Sequence, residues 1–155
     1  NAGKATSKGV ELEAMYRVMQ GLDLNASFGY TYAKYDDYSP SEGEDYAGKF
    51  AVDSPRYTAR IGATYRFLDH WLISAAYTRY GKTYFDPANT VSQSDYQTVD
   101  LKFGYEADDY EVYLWAKNIF NEDYVTRACK GALSDGWYAR PGEPLTIGVS
   151  AAIKF

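Results

Sequence analysis

The segment Leu145-Thr146-Ile147-Gly148-Val149-Ser150-Ala151-Ala152-Ile153-Lys154-Phe155 decides the fold. Leu145, Ile147, Val149, Ala151, Ile153 and Phe155 fall on one parity, and Thr146, Gly148, Ser150, Ala152 and Lys154 on the other. Side chains of an extended strand alternate between faces with a period of two, so this segment has one apolar and one polar face. Wound as a helix, the same residues would scatter their apolar side chains around the axis.

The same period runs through the rest of the chain. From Tyr57 to Phe67, Tyr57, Ala59, Ile61, Ala63, Tyr65 and Phe67 share one face, opposite Thr58, Arg60, Gly62, Thr64 and Arg66. Val10–Val18, Leu24–Tyr32, Trp71–Thr78, Thr98–Tyr105 and Tyr110–Lys117 repeat the pattern, most weakly where Leu72 stands on the polar side. The reading gives about seven antiparallel strands of roughly ten residues, longer than the usual strand of globular sheets. Gln20-Gly21-Leu22, Leu68-Asp69-His70 and Ala107-Asp108-Asp109 are tight turns. The other connections are long: Asp36 to Arg56, Lys82 to Asp95 and Asn121 to Glu143, all rich in Gly, Pro, Ser, Asp and Tyr. Short turns therefore collect at one end of the sheet and long loops at the other, with no helix between them.

Composition removes several classes of function. Sixteen Lys+Arg against 21 Asp+Glu give a net charge of −5, which supplies no basic surface for nucleic acid. One Cys excludes an intrachain disulfide framework, and one His with one Cys argues against zinc. No metal site and no cofactor is expected. The sequence shows no nucleophile elbow, phosphate loop or HExxH pair, so an enzyme is not expected. No apolar run approaches the ~20 residues of a spanning helix.

Alternation does not say which solvent the apolar face meets. Three features point it toward lipid. Strands of ~10 residues match a bilayer crossed at a tilt of ~45°. Aromatics gather at both ends of the apolar face: Tyr65, Phe67, Trp71, Tyr105, Tyr110 and Phe155 by the short turns, and Tyr30, Tyr32, Tyr57 and Tyr77 by the long loops. Two such rows suit the two water–lipid boundaries. The opposite face mixes Thr, Ser, Gly and Asn with Arg60, Arg66, Asp100, Lys102, Glu111 and Lys117, as a wet lumen requires. The alternatives are a secreted β-barrel or sandwich that binds an apolar ligand, and a small structural or adhesive membrane barrel. Seven strands leave the first and last running parallel, whereas closed bacterial barrels have an even number. An open edge in lipid leaves unpaired peptide groups, so the expected architecture is part of a larger barrel.

Four stretches resemble the C-terminal part of the β-barrel of TonB-dependent outer-membrane receptors. They are Asn1-Ala2-Gly3-Lys4-Ala5-Thr6-Ser7-Lys8-Gly9-Val10-Glu11-Leu12-Glu13, the loop Tyr84-Phe85-Asp86-Pro87-Ala88-Asn89-Thr90, the run Trp115-Ala116-Lys117-Asn118-Ile119-Phe120-Asn121-Glu122-Asp123-Tyr124, and the terminal strand ending in Phe155. The family's barrel has about 22 strands around a plug. The resemblance implies that residues 1–155 are one C-terminal barrel segment, with short periplasmic turns and long extracellular loops in the bacterial outer membrane. Nothing in the 155 residues resembles the plug, a signal peptide or the TonB-contacting box.

The resemblance further implies uptake of a ferric siderophore or similar iron chelate, energised by TonB through the plug. The implied partners are outer-membrane lipid, the remaining barrel and plug, and the barrel-assembly machinery, which would read the terminal strand and Phe155. Such ligands are commonly anionic and partly aromatic, which suits Arg forks and aromatic faces. The ligand candidates are therefore Tyr38, Tyr46, Phe50, Tyr84, Phe85, Tyr96, Trp137 and Tyr138 with Arg127, Lys130 and Arg140; the competing reading is that loop tyrosines pack the loops together. Arg60, Arg66, Asp100, Lys102, Glu111 and Lys117 would face the lumen or plug, or pair across strands and fix register. Tyr113 and Trp115 on that face suit packing against a plug. Cys129 is either paired with a cysteine elsewhere in the barrel or in another chain, or a free thiol; His70 is a solvated turn residue.

Overall fold

The computed structural model describes residues 3–131 and 136–154; Phe155 and the first two residues of the opening motif lie outside them. Seven strands form one antiparallel sheet in chain order: β1 (Lys4–Met19), β2 (Leu22–Asp37), β3 (Tyr57–Phe67), β4 (Trp71–Tyr80), β7 (Tyr96–Glu106), β8 (Tyr110–Lys117) and β11 (Thr146–Ile153). Two hairpins rise from the long connections: β5 (Thr83–Tyr84) with β6 (Ser92–Gln93), and β9 (Val125–Lys130) with β10 (Trp137–Pro141). No helix occurs among the described residues. The sheet is the expected all-β, antiparallel barrel wall, with β1 and β11 as its two edges.

Two expectations need correction. β1 and β2 each run 16 residues, not ten, and pair from Lys4↔Asp37 to Met19↔Leu22. At about 3.3 Å per residue they reach some 50 Å, which at a tilt of ~45° rises about 37 Å, past the ~30 Å hydrocarbon core and into the headgroup region. The alternation fades in Lys4–Gly9 and Ala33–Asp37 because that part rises above the hydrocarbon; besides the ladder, Thr6 donates to Asp36 at 2.7 Å and Tyr35 packs on Tyr38 at 4.8 Å. The long connections are also partly structured, as β5/β6 and β9/β10 show.

The apolar face is exposed, although most proteins bury such a face. Ile61, Leu101, Leu114 and Val149 keep 63%, 40%, 52% and 70% of their surface. Burial is sparse and falls elsewhere: Leu72, Ala76 and Thr78 are buried on the opposite face of β4, and Phe85, Asp86, Asn118 and Ala128 in or beside the long connections. Leu72, the apparent misfit in the pattern, is 1% exposed. Its cross-strand neighbours are Arg66 on β3 and Gly104 on β7. Arg66 Nε reaches Glu106 Oε2 of β7 at 3.5 Å, so this ion pair strides over β4 and roofs Leu72.

That pair belongs to a polar ladder along the inner face at the short-turn end. Arg17 donates to Asp23 at 2.7 Å, Asp23 meets Arg66 at 3.8 Å, Tyr113 Oη donates to Glu106 at 2.8 Å, and Glu111 meets Lys154 at 3.6 Å. Two inner-face aromatics lie flat across glycines of the neighbouring strand: Tyr113 over Gly104 and Trp115 over Gly148, each directly opposite in register. A Cβ at either glycine would run into the ring, so glycine is required there by close approach. On the outer face the short-turn end carries an aromatic row, with Trp71 stacked on Phe103 at 5.1 Å and edge-on to Tyr105 at 5.0 Å, and Tyr105 stacked on Tyr110 at 5.9 Å.

Candidate functional site

Three clusters form at the long-loop end. The first locks two connections together. Phe50 stacks on Tyr84 at 5.9 Å, and Asn89 clamps the Phe50 backbone: its Oδ1 accepts from the Phe50 N–H at 2.7 Å and its Nδ2 donates to the Phe50 carbonyl at 2.9 Å. Asn89 adopts φ +62°, a conformation asparagine tolerates better than most residues. Asp86 accepts from the Val91 N–H and the Thr90 hydroxyl, both at 2.7 Å. Burial pushes the Asp86 carboxyl up, but these hydrogen bonds outweigh it and hold the group below its usual range. Phe85 beside it is buried. Tyr38 packs between Tyr35 at 4.8 Å and Tyr46 at 5.9 Å, and a hydrogen bond with Glu44, aided by burial, raises the Tyr46 hydroxyl.

The second cluster is a column of three tyrosines. Tyr80 stacks on Tyr96 at 4.8 Å, and Tyr96 on Tyr124 at 4.2 Å with the rings 11° from parallel. Tyr80 and Tyr96 share the inner parity of β4 and β7, so the column stands on the lumen side. At its top, Tyr124 lies over Gly142 and lines a cavity of about 450 Å³ with Gln93, Glu122 and Pro141–Pro144.

The third cluster is the β9–β10 hairpin. Register places Arg127 directly opposite Arg140, and Cys129 opposite Tyr138 on the same face. Trp137 stands opposite Lys130 on the other face. Tyr138, Trp137, Arg140 and Cys129 are exposed, and Cys129 makes no disulfide among the described residues. Arg127 meets Asp53 at 3.8 Å; Arg140 has no ion pair among the described residues. Opposed like charges destabilise a two-stranded ladder, and the Asp53 carboxylate offsets the charge of Arg127 alone.

The inner-face charges have their own partners. Arg60 donates to Thr78 at 3.0 Å, Asp100 accepts from the Asn118 N–H at 3.0 Å, Lys102 sits 4.5 Å over the Tyr113 ring, and Lys117 meets Glu143 at 3.7 Å. Sequence reasoning missed Asn118, the hub of the Lys117–Tyr124 run. Its Nδ2 donates to the carbonyls of Glu122 (3.0 Å) and Glu143 (2.9 Å), and its Oδ1 accepts from the Glu122 N–H at 2.9 Å. Asn121 accepts from the Leu145 N–H at 2.9 Å, pinning the entry to β11. Asn118 and Asn121 both take positive φ, which the paired asparagines in Lys117-Asn118-Ile119-Phe120-Asn121 could have signalled.

A sheet with an exposed apolar face, a charged inner face, and loops sorted by end defines a wall of a membrane β-barrel. The model of the TonB dependent receptor-like beta-barrel family matches residues 1–119, and the chain belongs to that family, whose members are outer-membrane receptors rather than enzymes. The ferrichrome outer membrane transporter/phage receptor of Escherichia coli K12 is 29% identical over 134 residues, covering 79% of this chain and 17% of the relative. The pesticin receptor of Yersinia pestis is 28% identical over the whole chain and 23% of its own length. The ferric yersiniabactin uptake receptor of Yersinia pestis superposes with a TM-score of 0.84 at 25% identity, over 100% of this chain and 24% of that structure. The chain thus spans a quarter or less of these relatives.

Proposed function

We propose that this chain forms part of an outer-membrane receptor that captures a ferric siderophore or similar iron chelate, with import energised by TonB through a plug in the full-length protein. The supporting observation is the Arg127/Arg140 pair, held opposite each other beside Tyr138 on an exposed hairpin. Arg127, which meets Asp53, and Arg140, which has no ion pair among the described residues, share one face of the hairpin and suit an anionic chelate through charge-assisted, bidentate hydrogen bonds. The Tyr80–Tyr96–Tyr124 column supplies an aromatic path on the lumen side, where a ring-bearing ligand can stack as it descends. The relatives named above for ferrichrome and ferric yersiniabactin take up iron chelates, which agrees with this reading.

The test is binding by the full-length receptor of a panel comprising ferrichrome, ferric yersiniabactin and ferrioxamine B. Arg127→Gln with Arg140→Gln is expected to weaken the chelate that binds wild type at least tenfold, while the folded barrel band persists on unheated gels. Unchanged affinity in the double variant would remove the hairpin from the site. Failure of every chelate on wild type would remove the iron-uptake reading itself.

A further inference from the structure

The outward face changes character just above its upper aromatic row. Tyr30 and Tyr32 point outward from β2, and the next outward residue is Lys34. Lys8 on β1 stands directly opposite Tyr32. A bridge from Lys34 to Phe50 brings the Phe50 ring to the same side. Lys34 Nζ lies 4.6 Å from the Phe50 ring centre, and Arg56 Cζ lies 4.0 Å from it. Lys82 Nζ lies 4.8 Å over Tyr84, which stacks on Phe50.

Among the described residues, Lys8, Lys34, Arg56 and Lys82 make no ion pair. The Arg56 guanidinium donates to the Tyr30 hydroxyl at 3.4 Å, its Nε is buried with no acceptor among the described residues, and its backbone N–H donates to the Lys82 carbonyl at 3.2 Å. Arg79, on the same face of the sheet, is by contrast tied to Tyr57 at 3.0 Å and Asp95 at 3.7 Å. A cavity of about 490 Å³ opens beside Lys8 and Lys34; Asp36 on its rim is held by the Thr6 hydroxyl at 2.7 Å. Further down the same face of β1–β3, an apolar crevice of about 480 Å³ runs between Leu12, Phe28 and Ile61.

We propose that this platform binds the phosphate-bearing headgroup of a membrane lipid in the leaflet on the long-loop side, with an acyl chain in the crevice below. Cations at a membrane boundary find their counter-charge in anionic headgroups, and long basic side chains reach that level while their stems lie on apolar surface. The two cavities on one outward face, a cationic one above an apolar one, match a molecule with a phosphate at one end and a hydrocarbon chain at the other. A free phosphate would use only the upper cavity.

Native mass spectrometry of the full-length receptor in detergent tests this, with short-chain phosphatidic acid, the matching diacylglycerol and inorganic phosphate as probes. Phosphatidic acid is expected to bind at least tenfold more tightly than either other probe. Lys34→Gln with Arg56→Gln is expected to lose that advantage, while Lys154→Gln, a charge removed from the inner face, keeps it. Should the first pair fail to fold, Lys8→Gln with Lys82→Gln reads the same site without disturbing the cations packed on Phe50, and a several-fold loss is expected. Equal phosphatidic acid affinity in wild type and these variants, or equal binding of diacylglycerol, would overturn the proposal. Inorganic phosphate binding as tightly as phosphatidic acid would overturn it in favour of a free-anion site.

Discussion

Val149 and Ser150 are neighbours on β11, yet they live in different solvents. Val149 belongs to a face that carries Ile61, Leu101 and Leu114 and is left open by the described residues. Ser150 belongs to a face of ion pairs, hydroxyl contacts and rings laid over glycines. In a water-soluble protein the first face would be buried and the second exposed. The inversion teaches that here the hydrophobic drive is met by surrounding lipid, and the chain's own contacts serve chiefly to set strand register.

The largest expected effect sharpens that contrast within one dipeptide. Val149→Arg places a charge on the lipid face mid-strand and should cost about 2–4 kcal/mol, measured by denaturant unfolding from lipid vesicles. Ser150→Arg, on the wet face, should change stability by about 0.5 kcal/mol or less in the same measurement. Next comes Asn118→Ala. It leaves the Glu122 and Glu143 carbonyls and the Glu122 N–H unpaired and puts a Cβ-bearing residue without a polar side chain at φ +48°, so a loss of about 2 kcal/mol is expected. Hydrogen exchange should then show faster opening at the start of β11.

A smaller effect is expected from Gly104→Ala, about 1 kcal/mol, because the Tyr113 ring must leave its place over β7. Loss of the Tyr113 to Glu106 hydrogen bond would report that movement. Smallest is the response to acid. Hydrogen bonding from Tyr57 and the charge of Arg79 hold Asp95 below its usual range, as hydrogen bonds from Val91 and Thr90 do for Asp86. The stabilisation of both loops is therefore present above the ordinary carboxylate range of about pH 4 and is lost only as pH falls through the depressed values. Limited proteolysis should find the connection between β4 and β7 resistant at neutral pH and newly cleavable only in strong acid.

Much of the sheet was legible in the sequence because lipid enforces a strict period of two, and the tight turns mark where it restarts. Leu72 broke the pattern for a reason visible only in space: the Arg66–Glu106 pair that roofs it joins strands 40 residues apart. The upper halves of β1 and β2 were invisible because they rise above the hydrocarbon, where polar residues such as Thr6 and Lys34 replace apolar ones on the outward face. The β9–β10 hairpin was hidden for the same reason. The loop residues were partly legible by type, since Arg127, Arg140 and Tyr138 were singled out as candidates. Their alignment on one face depended on register, which composition does not encode. Asn89 and Asn118 were missed because each acts through backbone groups distant in the chain.

The central claim is that the apolar face meets hydrocarbon. Spin labels at Ile61, Leu101, Leu114 and Val149, and at Thr64, Ser74 and Ser150, in a Cys129→Ser background of the full-length receptor in lipid vesicles, would report it through relaxation by oxygen against a water-soluble nickel chelate. The account predicts high oxygen and low nickel accessibility at the first four positions and the reverse at the other three. Labels at the first four that are shielded from both reagents, as inside a compact soluble body, would contradict it.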